Sequence, residues 1–369
     1  MFDIRLEKAF DFASAEYQEL FAMCGASVFQ HPLWLGPLYR DLAPAVGAEP
    51  LVVVARRRAD QGLAMVLPLT RRRRRGLSFI EFADLSVSDY AEAVCDPETF
   101  ERLAQDPRTP AKIRGLLQPF DILRIGKIRD GGHRLDRLFA GARRAPMAMS
   151  AHATGLFEPF EDWRAARIPK SYGRELGRNR RHMERLGAFR FELLREPSEI
   201  EALLRGLQAY RGRRFPGDIL GQQCYFDFYR TVALTGAPTG FARAYRMSLD
   251  GVTIGGTLGL SHRRRFVGLI LGFDDVEYRP RSLGALTIED VARNCIAEQH
   301  EVLDLSIGDE HYKKLFSAEP TALWMVTASG TMLGAVADKI AAHIARPQPA
   351  SGKSAPAKAA PARDVAPLA

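Results

Sequence analysis

Several features that define other classes of protein are missing from this chain of 369 residues. Its four cysteines, Cys24, Cys95, Cys224 and Cys295, lie far apart, which argues against both a zinc site and a disulfide framework. No stretch approaches the roughly 18 apolar residues that a membrane-spanning helix needs, and residues 1–7 do not resemble a signal peptide. We therefore expect a cytoplasmic protein that binds no metal.

Two short catalytic motifs are also missing. The sequence contains no G-x-S-x-G motif, which argues against a hydrolase with a nucleophile elbow. It has no G-x-G-x-x-G motif after a strand, which argues against a nicotinamide cofactor. The histidines are solitary and do not have the spacing of metal ligands, so each one is expected at the surface or in the core.

Positive charge is abundant. The formal net charge is +8 and the isoelectric point is about 9.4, which indicates an anionic partner such as a phosphate-bearing cofactor, tRNA or a membrane surface. Five consecutive arginines at 71–75 are more typical of a solvated strand end or loop than of a nucleic-acid site. Charge alone does not distinguish between these partners.

Hydrophobic patterning predicts a mixed α/β (α+β) fold built from tandem units, each a mostly antiparallel mixed sheet flanked by helices. We divide the chain into residues 1–165, residues 166–345, and an Ala/Pro-rich tail at 346–369 that is expected to be disordered. In the first unit, strands are expected at 51–55, 63–67, 79–82, 91–95 and 120–125, with a helix at 98–117 interrupted by Pro107 and Pro110. No element is predicted between residues 126 and 169.

The second unit has the more informative order of elements. A strongly basic helix at 170–186 precedes a strand and two helices, and then comes a three-strand meander between Gly240 and Phe273. A loop leads into an amphipathic helix from about Ala285 to Gln299. A strand at Val302–Ile307 and a helical turn at 308–316 follow.

Several local motifs accompany this order of elements: Phe29–Trp34, Ser88–Tyr90, Ser171–Leu186, Gly272–Tyr278, Arg281–Gly284 and Asp304–Lys313. With these motifs the sequence resembles the GNAT acyltransferase superfamily over most of the chain up to about Ala328. More narrowly, it resembles the CelD-type cellulose-biosynthesis acetyltransferases, which are related to the FemAB-like peptidoglycan aminoacyltransferases. The resemblance implies two GNAT-like units, the second of which, at 166–345, is the acyltransferase domain.

The resemblance implies that acyl-coenzyme A is a co-substrate, bound with its pyrophosphate against backbone N–H groups where a loop opens a helix. The residues that correspond to this site are Phe273, Arg279, Arg281, Ser282, Leu283, Gly284 and Ala285. The superfamily pattern ends in glycine or alanine, whereas this chain has Leu286 at that position. The match to the superfamily pattern therefore includes Arg281 and Gly284 but not Leu286.

Acyl transfer needs a base for the nucleophile and a proton donor for the departing thiolate. Polar residues in the strand at Val302–Ile307 and in the turn after it supply candidates: Asp304, Asp309, Glu310, Tyr312 and Lys313. Strand alternation predicts that Asp304 and Ser306 share one face. By resemblance to Fem-type enzymes, Lys313 is expected to stabilise the developing oxyanion.

The sequence is therefore interpreted as an acyl-CoA-dependent N- or O-acyltransferase, with acetyl-CoA or another acyl-CoA as donor. The resemblance implies an acceptor with an amine or hydroxyl group, related to envelope or exopolysaccharide synthesis. Two alternatives remain open at this point. One is a FemAB-like transferase that uses aminoacyl-tRNA, and the other is a catalytically silent scaffold in polysaccharide synthesis.

Overall fold

The computed structural model describes residues 2–337. Thirteen strands form its sheet: β1 Phe2–Glu7, β2 Glu49–Arg57, β3 Leu63–Arg74, β4 Leu77–Phe82, β5 Val94–Cys95, β6 Ile122–Arg129, β7 Arg143–Gly155, β8 Phe189–Leu194, β9 Ala242–Leu249, β10 Val252–His262, β11 Arg265–Phe273, β12 Val302–Ile307 and β13 Glu319–Ser329. The tail predicted at 346–369 lies outside the described residues.

Helices cover both faces of this sheet. They are α1 Ala15–Met23, α2 Pro32–Pro37, α3 Ala43–Ala45, α4 Pro97–Gln105, α5 Arg108–Leu117, α6 Phe160–Arg167, α7 Lys170–Leu186, α8 Pro197–Arg214, α9 Gln223–Gly236, α10 Leu283–Ala297 and α11 His311–Leu315. Short sequence signals fix several helix starts. The Ser14 hydroxyl accepts the Tyr17 N–H at the start of α1, and Pro32 occupies the first turn of α2.

All but one of the strands form a single continuous path in the order β1-β2-β3-β4-β6-β13-β7-β12-β11-β10-β9-β8, and β5 pairs with β3. The pairs β4–β6 and β11–β12 are parallel, whereas the other pairs are antiparallel. Each half of the chain thus builds an antiparallel meander followed by one parallel strand. This confirms the predicted mixed α/β fold with two related units.

The two units are joined by an exchange of strands. β7, from the first half, pairs with β12 of the second half, and β13, from the second half, pairs with β6 of the first. β7 and β13 also pair with each other at the centre of the sheet. The division after residue 165 stays a prediction, and these two strands cross it.

The hydrophobic core has three clusters. One cluster spans both units on one side of the sheet, where the indole of Trp34 in α2 meets the rings of Phe228 and Tyr229 in α9. The other two clusters lie on the opposite side, one beneath α4 and α5 and one beneath α6, α7 and α10. A shared apolar layer therefore fixes the two units against each other.

Several local predictions were wrong. The 13-residue strand β7 and helix α6 fall where no element was predicted. The helix expected at 98–117 is two helices, broken only near Pro107, and Pro110 lies inside α5. Strand β3 continues to Arg74, beyond the predicted end at Leu67, so the arginine run forms a strand end, as expected, in which Arg71 and Arg74 pair with Glu49 and Glu81.

Folding stability is expected to fall in mild acid because of one half-buried histidine, His31. His31 stacks on Phe241 at 4.0 Å, and its Nδ1 accepts the Leu33 N–H at 3.1 Å. Burial, with help from His262, lowers the pKa of His31 to about 4. Below the ordinary histidine pKa of roughly 6.5 the unfolded chain binds a proton that the folded chain does not, so about 2–3 kcal/mol is lost between roughly pH 6.5 and 4.

Urea unfolding at pH 7 and pH 4.5 measures this loss, and His31→Asn is the matched variant. Asparagine retains a side-chain acceptor at the helix N-terminus but does not titrate. We expect the variant to lose clearly less stability than the wild type between the two pH values. Equal losses in both proteins would show that His31 is not the titrating group.

Candidate functional site

A cavity of about 330 Å³ lies at the seam where the exchanged strands meet. We call it the seam cavity. The first unit contributes Tyr90 and Glu92 from the loop after β4, Arg129 from the end of β6, and His152 from β7. The second unit contributes Arg265, at the start of β11, and Asp304 in β12.

The two first-half motifs position the loop that carries Tyr90. Gln30 donates from its side-chain amide to the Tyr90 carbonyl at 3.1 Å. Trp34 donates from its indole N–H to the Ser88 hydroxyl at 2.8 Å. Gln30, Trp34 and Ser88 are all fully buried, so these hydrogen bonds hold the loop against the core.

Asp304 is the hub of the cavity wall. Its carboxylate, 2% exposed as a residue, accepts hydrogen bonds from the Tyr90 hydroxyl at 2.7 Å and from the Ser306 N–H at 2.8 Å, and pairs with Arg265 at 3.1 Å. Burial and the nearby carboxylate raise the pKa of Tyr90, so its hydroxyl stays protonated as the donor. One buried carboxylate therefore links the two units.

The predicted common face of Asp304 and Ser306 was wrong. Ser306 has a φ of +65°, and the pairing of β12 with β7 shifts register between Asp304 and Ile307. A bulge of this kind interrupts strand alternation. The Ser306 hydroxyl instead donates to the buried carboxylate of Asp89.

His152 and Asp309 form a dyad beside the cavity. The His152 ring lines the cavity and is 3% exposed, and its Nε2 lies 2.9 Å from Asp309 Oδ1. This contact holds the pKa of Asp309 below its usual range. The other ring nitrogen, Nδ1, is buried and has no hydrogen-bond partner within the described part of the chain. If Nε2 carries the proton, Nδ1 presents a free lone pair.

Glu92 and Arg129 provide a second charged pair in the same wall. Their closest side-chain atoms are 3.6 Å apart, and the Arg129 guanidinium lies over the Tyr90 ring at 4.5 Å. Burial raises the pKa of Glu92. The cavity thus contains a histidine and a carboxylate, the residue types most often used for proton transfer.

The other predicted catalytic residues lie away from the cavity wall. Lys313 is 1% exposed, and its ammonium donates to the carbonyls of Ser306, Ile307 and Gly308 at 2.7–3.3 Å and pairs with Glu310 at 2.9 Å. An ammonium group has three N–H donors, so these contacts occupy it. The predicted oxyanion role of Lys313 remains a prediction, and its observed contacts hold the turn after β12.

Tyr312 packs against the apolar cluster beneath α10, and burial raises the pKa of its hydroxyl. It does not line the seam cavity. Of the five predicted catalytic residues, the structure therefore places Asp304 in the cavity wall, Asp309 beside the cavity against His152, and Glu310, Tyr312 and Lys313 in the supporting turn.

The predicted pyrophosphate loop has an unusual backbone. Arg279–Arg281 forms a 3-10 turn, Ser282 has a left-handed φ of +53°, and α10 begins at Leu283. The Ser282 carbonyl accepts the N–H groups of Ala285 and Leu286. The 15-residue helix α10 therefore starts at an abrupt change of chain direction, and its first backbone N–H groups lie at this bend.

Gly284 fits tightly in this loop. A Cβ atom added at this position would lie 2.7 Å from the ring of Phe273, at the end of β11. Leu286, the departure from the superfamily pattern, is fully buried in the core cluster beneath α10. Its side chain therefore fills the core, and the residue that packs closely against β11 is Gly284.

β11 and β12 separate near this loop. Their parallel pairing covers only Arg265–Val267 with Val302–Asp304, so the later part of β11 has no partner in β12. The resulting gap opens towards the start of α10. The N-terminus of a helix beside such a gap can bind an anionic group.

A second, basic cleft of about 550 Å³ lies between α7 and the Arg279–Arg281 turn. Its basic lining residues are Arg178, Arg181, His182, Arg185 and Arg281. One side of α7 is buried, although the helix is strongly basic. Arg180 of α7 pairs at 2.7–3.2 Å with the buried carboxylates of Glu289 and Asp290 in α10, so this face of the helix is structural.

Sequence reasoning missed five residues of the seam cavity: Tyr90, Glu92, Arg129, His152 and Arg265. Tyr90 belonged to a motif that was noted, but no role was given to it. His152 was dismissed as a solitary histidine because β7, which carries it, was not predicted. Its partner, Asp309, is 157 positions away in the chain, and only the exchange of strands brings the two side chains together.

Among residues 2–337, no group of histidine, cysteine, aspartate and glutamate side chains is arranged to hold a metal ion. No helix in that range is long and apolar enough to cross a bilayer. All four cysteines are free thiols.

The sheet topology, the gap between β11 and β12 and the loop into α10 define a GNAT-type acyltransferase fold in two units. Residues 170–314 match the model of the acetyltransferase (GNAT) domain family. A GNAT domain implies acyl-CoA as co-substrate, and the match supports a transferase. No curated protein matches the sequence.

Several solved structures share the fold. The crystal structure of FemX has a TM-score of 0.58 at 10% identity and covers 87% of this chain and 96% of its own. The C-terminal domain (DUF2156) of a putative lysylphosphatidylglycerol synthetase from Agrobacterium fabrum has a TM-score of 0.55 at 12% identity, covering 92% and 98%. A tandem GNAT protein from the clavulanic acid biosynthesis pathway has a TM-score of 0.51 at 14% identity, covering 90% and 99%. Identities this low show a shared fold alone.

Proposed function

We propose that the protein transfers an acyl group from acyl-CoA to an amine or hydroxyl group bound in the seam cavity. The observation that carries this proposal is the pairing of a gap between β11 and β12, proposed as the donor site, with a polar cavity beside the same two strands. Acetyl-CoA is the donor we propose, since residues 170–314 match an acetyltransferase domain.

In the proposed reaction, the acceptor nucleophile attacks the thioester carbonyl and loses its proton to a base. The C–S bond then breaks, the acyl group stays on the acceptor, and coenzyme A leaves as a thiol after taking up a proton. We assign the base to His152, because Asp309 orients its ring and leaves Nδ1 free. Glu92 is the other candidate in the cavity.

Calorimetric titration with acetyl-CoA tests the donor site. We expect saturable binding to the wild type and at least about tenfold weaker binding to Gly284→Ala, because the added methyl group would collide with Phe273 and displace the start of α10. Absence of binding to the wild type would contradict the proposed function.

Gly115→Ala is the matched control. Gly115 lies inside α5 with nothing within 4 Å of an added Cβ, so alanine is expected to leave acetyl-CoA binding unchanged and to stabilise the helix by roughly 0.5–1 kcal/mol. If Gly284→Ala and Gly115→Ala bind acetyl-CoA with equal affinity, the donor site does not lie at Gly284.

A second candidate function is transfer from aminoacyl-tRNA, as in the FemAB-like reading. The basic cleft along α7 favours it, since phosphodiester groups bind to clustered arginines. The test is binding of charged tRNA to the wild type and to the Arg178→Gln/Arg181→Gln double variant. Binding that the double variant loses, in a protein that does not bind acetyl-CoA, would favour this function.

For the acceptor we propose a molecule related to envelope or exopolysaccharide synthesis, and a cytoplasmic location, where four free thiols stay reduced. The CelD-like motifs support the acceptor class. A screen of amino sugars and sugar nucleotides, with release of free coenzyme A as the signal, tests it. Acceptance only of unrelated amines would contradict it.

A further inference from the structure

A small cleft of about 150 Å³ adjoins the seam cavity. Tyr90, Arg129 and Arg265 line both spaces. The cleft adds Arg263 and His262 from the β10–β11 connection, and the small residues of the 25–28 segment form its other wall. We call it the arginine cleft.

The charge of the arginine cleft differs from that of the seam cavity. Three guanidinium groups line it, and no carboxylate among the described residues does; the nearest carboxylates are Glu92, which approaches Arg129, and Asp304, which pairs with Arg265. The seam cavity, by contrast, contains Glu92 and Asp304. A site with this excess of positive charge attracts an anion.

The arginines are fixed by contacts that leave donors for a ligand. Arg265 pairs with Asp304 at 3.1 Å, and Arg129 approaches Glu92 at 3.6 Å. Arg263 donates to the carbonyls of Phe21 and Ala22, which hold it at the cleft wall. Each guanidinium has five N–H donors, so these contacts use only part of its capacity.

We propose that the acceptor carries a phosphate or carboxylate group, which binds in the arginine cleft while its nucleophile lies in the seam cavity. This inference rests on the proposed acyl transfer. The cleft volume is below the roughly 300 Å³ at which pockets begin to hold drug-sized ligands, and it suits a single anionic group. Planar guanidinium groups bind both anions through paired N–H donors.

The binding experiment uses the full-length protein and two probes, inorganic phosphate and acetate, titrated by calorimetry. We expect saturable binding of at least one probe, weakened about tenfold or more in Arg129→Gln and in Arg265→Gln, as expected for loss of a charge-assisted hydrogen bond. Arg129→Lys keeps the charge and should bind with an intermediate affinity. The probe that binds more tightly identifies the anion.

Arg102→Gln is the matched control, because Arg102 is an exposed residue of α4 that lines neither the arginine cleft nor the basic cleft. Its anion binding is expected to equal that of the wild type. Binding that is lost in Arg178→Gln, a variant of the basic cleft, but retained in Arg129→Gln would overturn the proposal, and so would the absence of binding by both probes. Circular dichroism melting establishes that each variant is folded.

Pairs of acceptors extend the test to turnover. An amine that carries a carboxylate or phosphate should be used with a kcat/KM about tenfold or more above that of its uncharged analogue, mainly through a lower KM. Arg129→Gln should remove this preference. An equal preference in the wild type and the variant would overturn the proposal.

Acetyl-CoA titration of the same samples separates the two levels of inference. Loss of the proposed function would appear as no acetyl-CoA binding with anion binding intact. If the proposal for the arginine cleft is wrong, acetyl-CoA will still bind, and Arg129→Gln will bind the anion with the same affinity as the wild type.

Discussion

Replacing His152 by alanine is expected to lower the rate of acyl transfer by about 10²–10⁴-fold, the usual contribution of a positioned general base. The reason is geometric. His152 lines the seam cavity, Asp309 contacts its Nε2 at 2.9 Å, and its Nδ1 has no partner among residues 2–337. The measurement is release of free coenzyme A with an acceptor from the screen, beside calorimetric binding of acetyl-CoA, which should not change.

His311→Ala is the matched control for this prediction. His311 is an exposed residue at the start of α11, two positions from Asp309, and should be replaceable without loss of rate. Asp309→Asn should give an intermediate loss, since the ring would remain in place without its carboxylate. If His152→Ala retains the wild-type rate, His152 is not the base. Glu92 would then be the candidate, and Glu92→Gln would test it.

Replacing Asp304 by alanine is expected to destabilise the fold by roughly 2–4 kcal/mol, mainly the cost of leaving buried hydrogen-bonding groups without an acceptor, since the Arg265 side chain is 35% exposed. The substitution would leave the Arg265 guanidinium, the Tyr90 hydroxyl and the Ser306 N–H without their shared acceptor. Urea unfolding measures this loss. We expect it to be among the larger single-residue effects, because Asp304 joins the two units.

Glu301→Ala is the control for Asp304→Ala. Glu301 pairs with Arg264 at 2.6 Å, but both side chains are more than half exposed, so its removal should cost at most about 1 kcal/mol. The double variant Asp304→Asn/Arg265→Gln should cost less than the sum of its single variants, because each single change leaves the other charge unpaired. Two results would contradict the proposed role of Asp304 in joining the units. One is a small loss of stability in Asp304→Ala, and the other is a double variant whose loss equals the sum of the two single losses.

Much of the second half could be predicted because its elements are marked locally. The strand Val302–Ile307 has the predicted bounds, and a strand, Phe189–Leu194, follows the basic helix as predicted, since each is short, rich in apolar residues and bounded by turn residues. The start of α10 was predicted to within two residues by the loop around Gly284. Local periodicity is sufficient where an element packs against its neighbours in the chain.

The central strand β7 could not be predicted in the same way. Its sequence, Arg143–Gly155, contains arginines, alanines and a proline, with little apolar alternation. It is a strand because β12 and β13 pair with it on either side. Such long-range pairing overrides weak local preference, and missing β7 also meant missing His152.

The candidate site shows the same division. Asp304 and Asp309 were predicted because they lie in and just after a recognisable strand. The bulge at Ser306, which breaks the alternation after Asp304, leaves no mark in the residue pattern. Lys313 was predicted as a catalytic cation, but its ammonium is occupied by carbonyls of its own turn. A charged side chain can take part in catalysis, but its contacts in the folded protein decide whether it is available for that role.

The sequence by itself determined the two related units, the loop into α10 and the absence of hydrolase and nicotinamide motifs, because these depend on residues close together in the chain. The tertiary structure alone decided that the units exchange strands β7 and β13. That exchange brings Tyr90 and His152 of the first unit to Asp304 and Asp309 of the second. Contacts across 150 to 220 positions depend on the packing of the whole sheet, which no local pattern records.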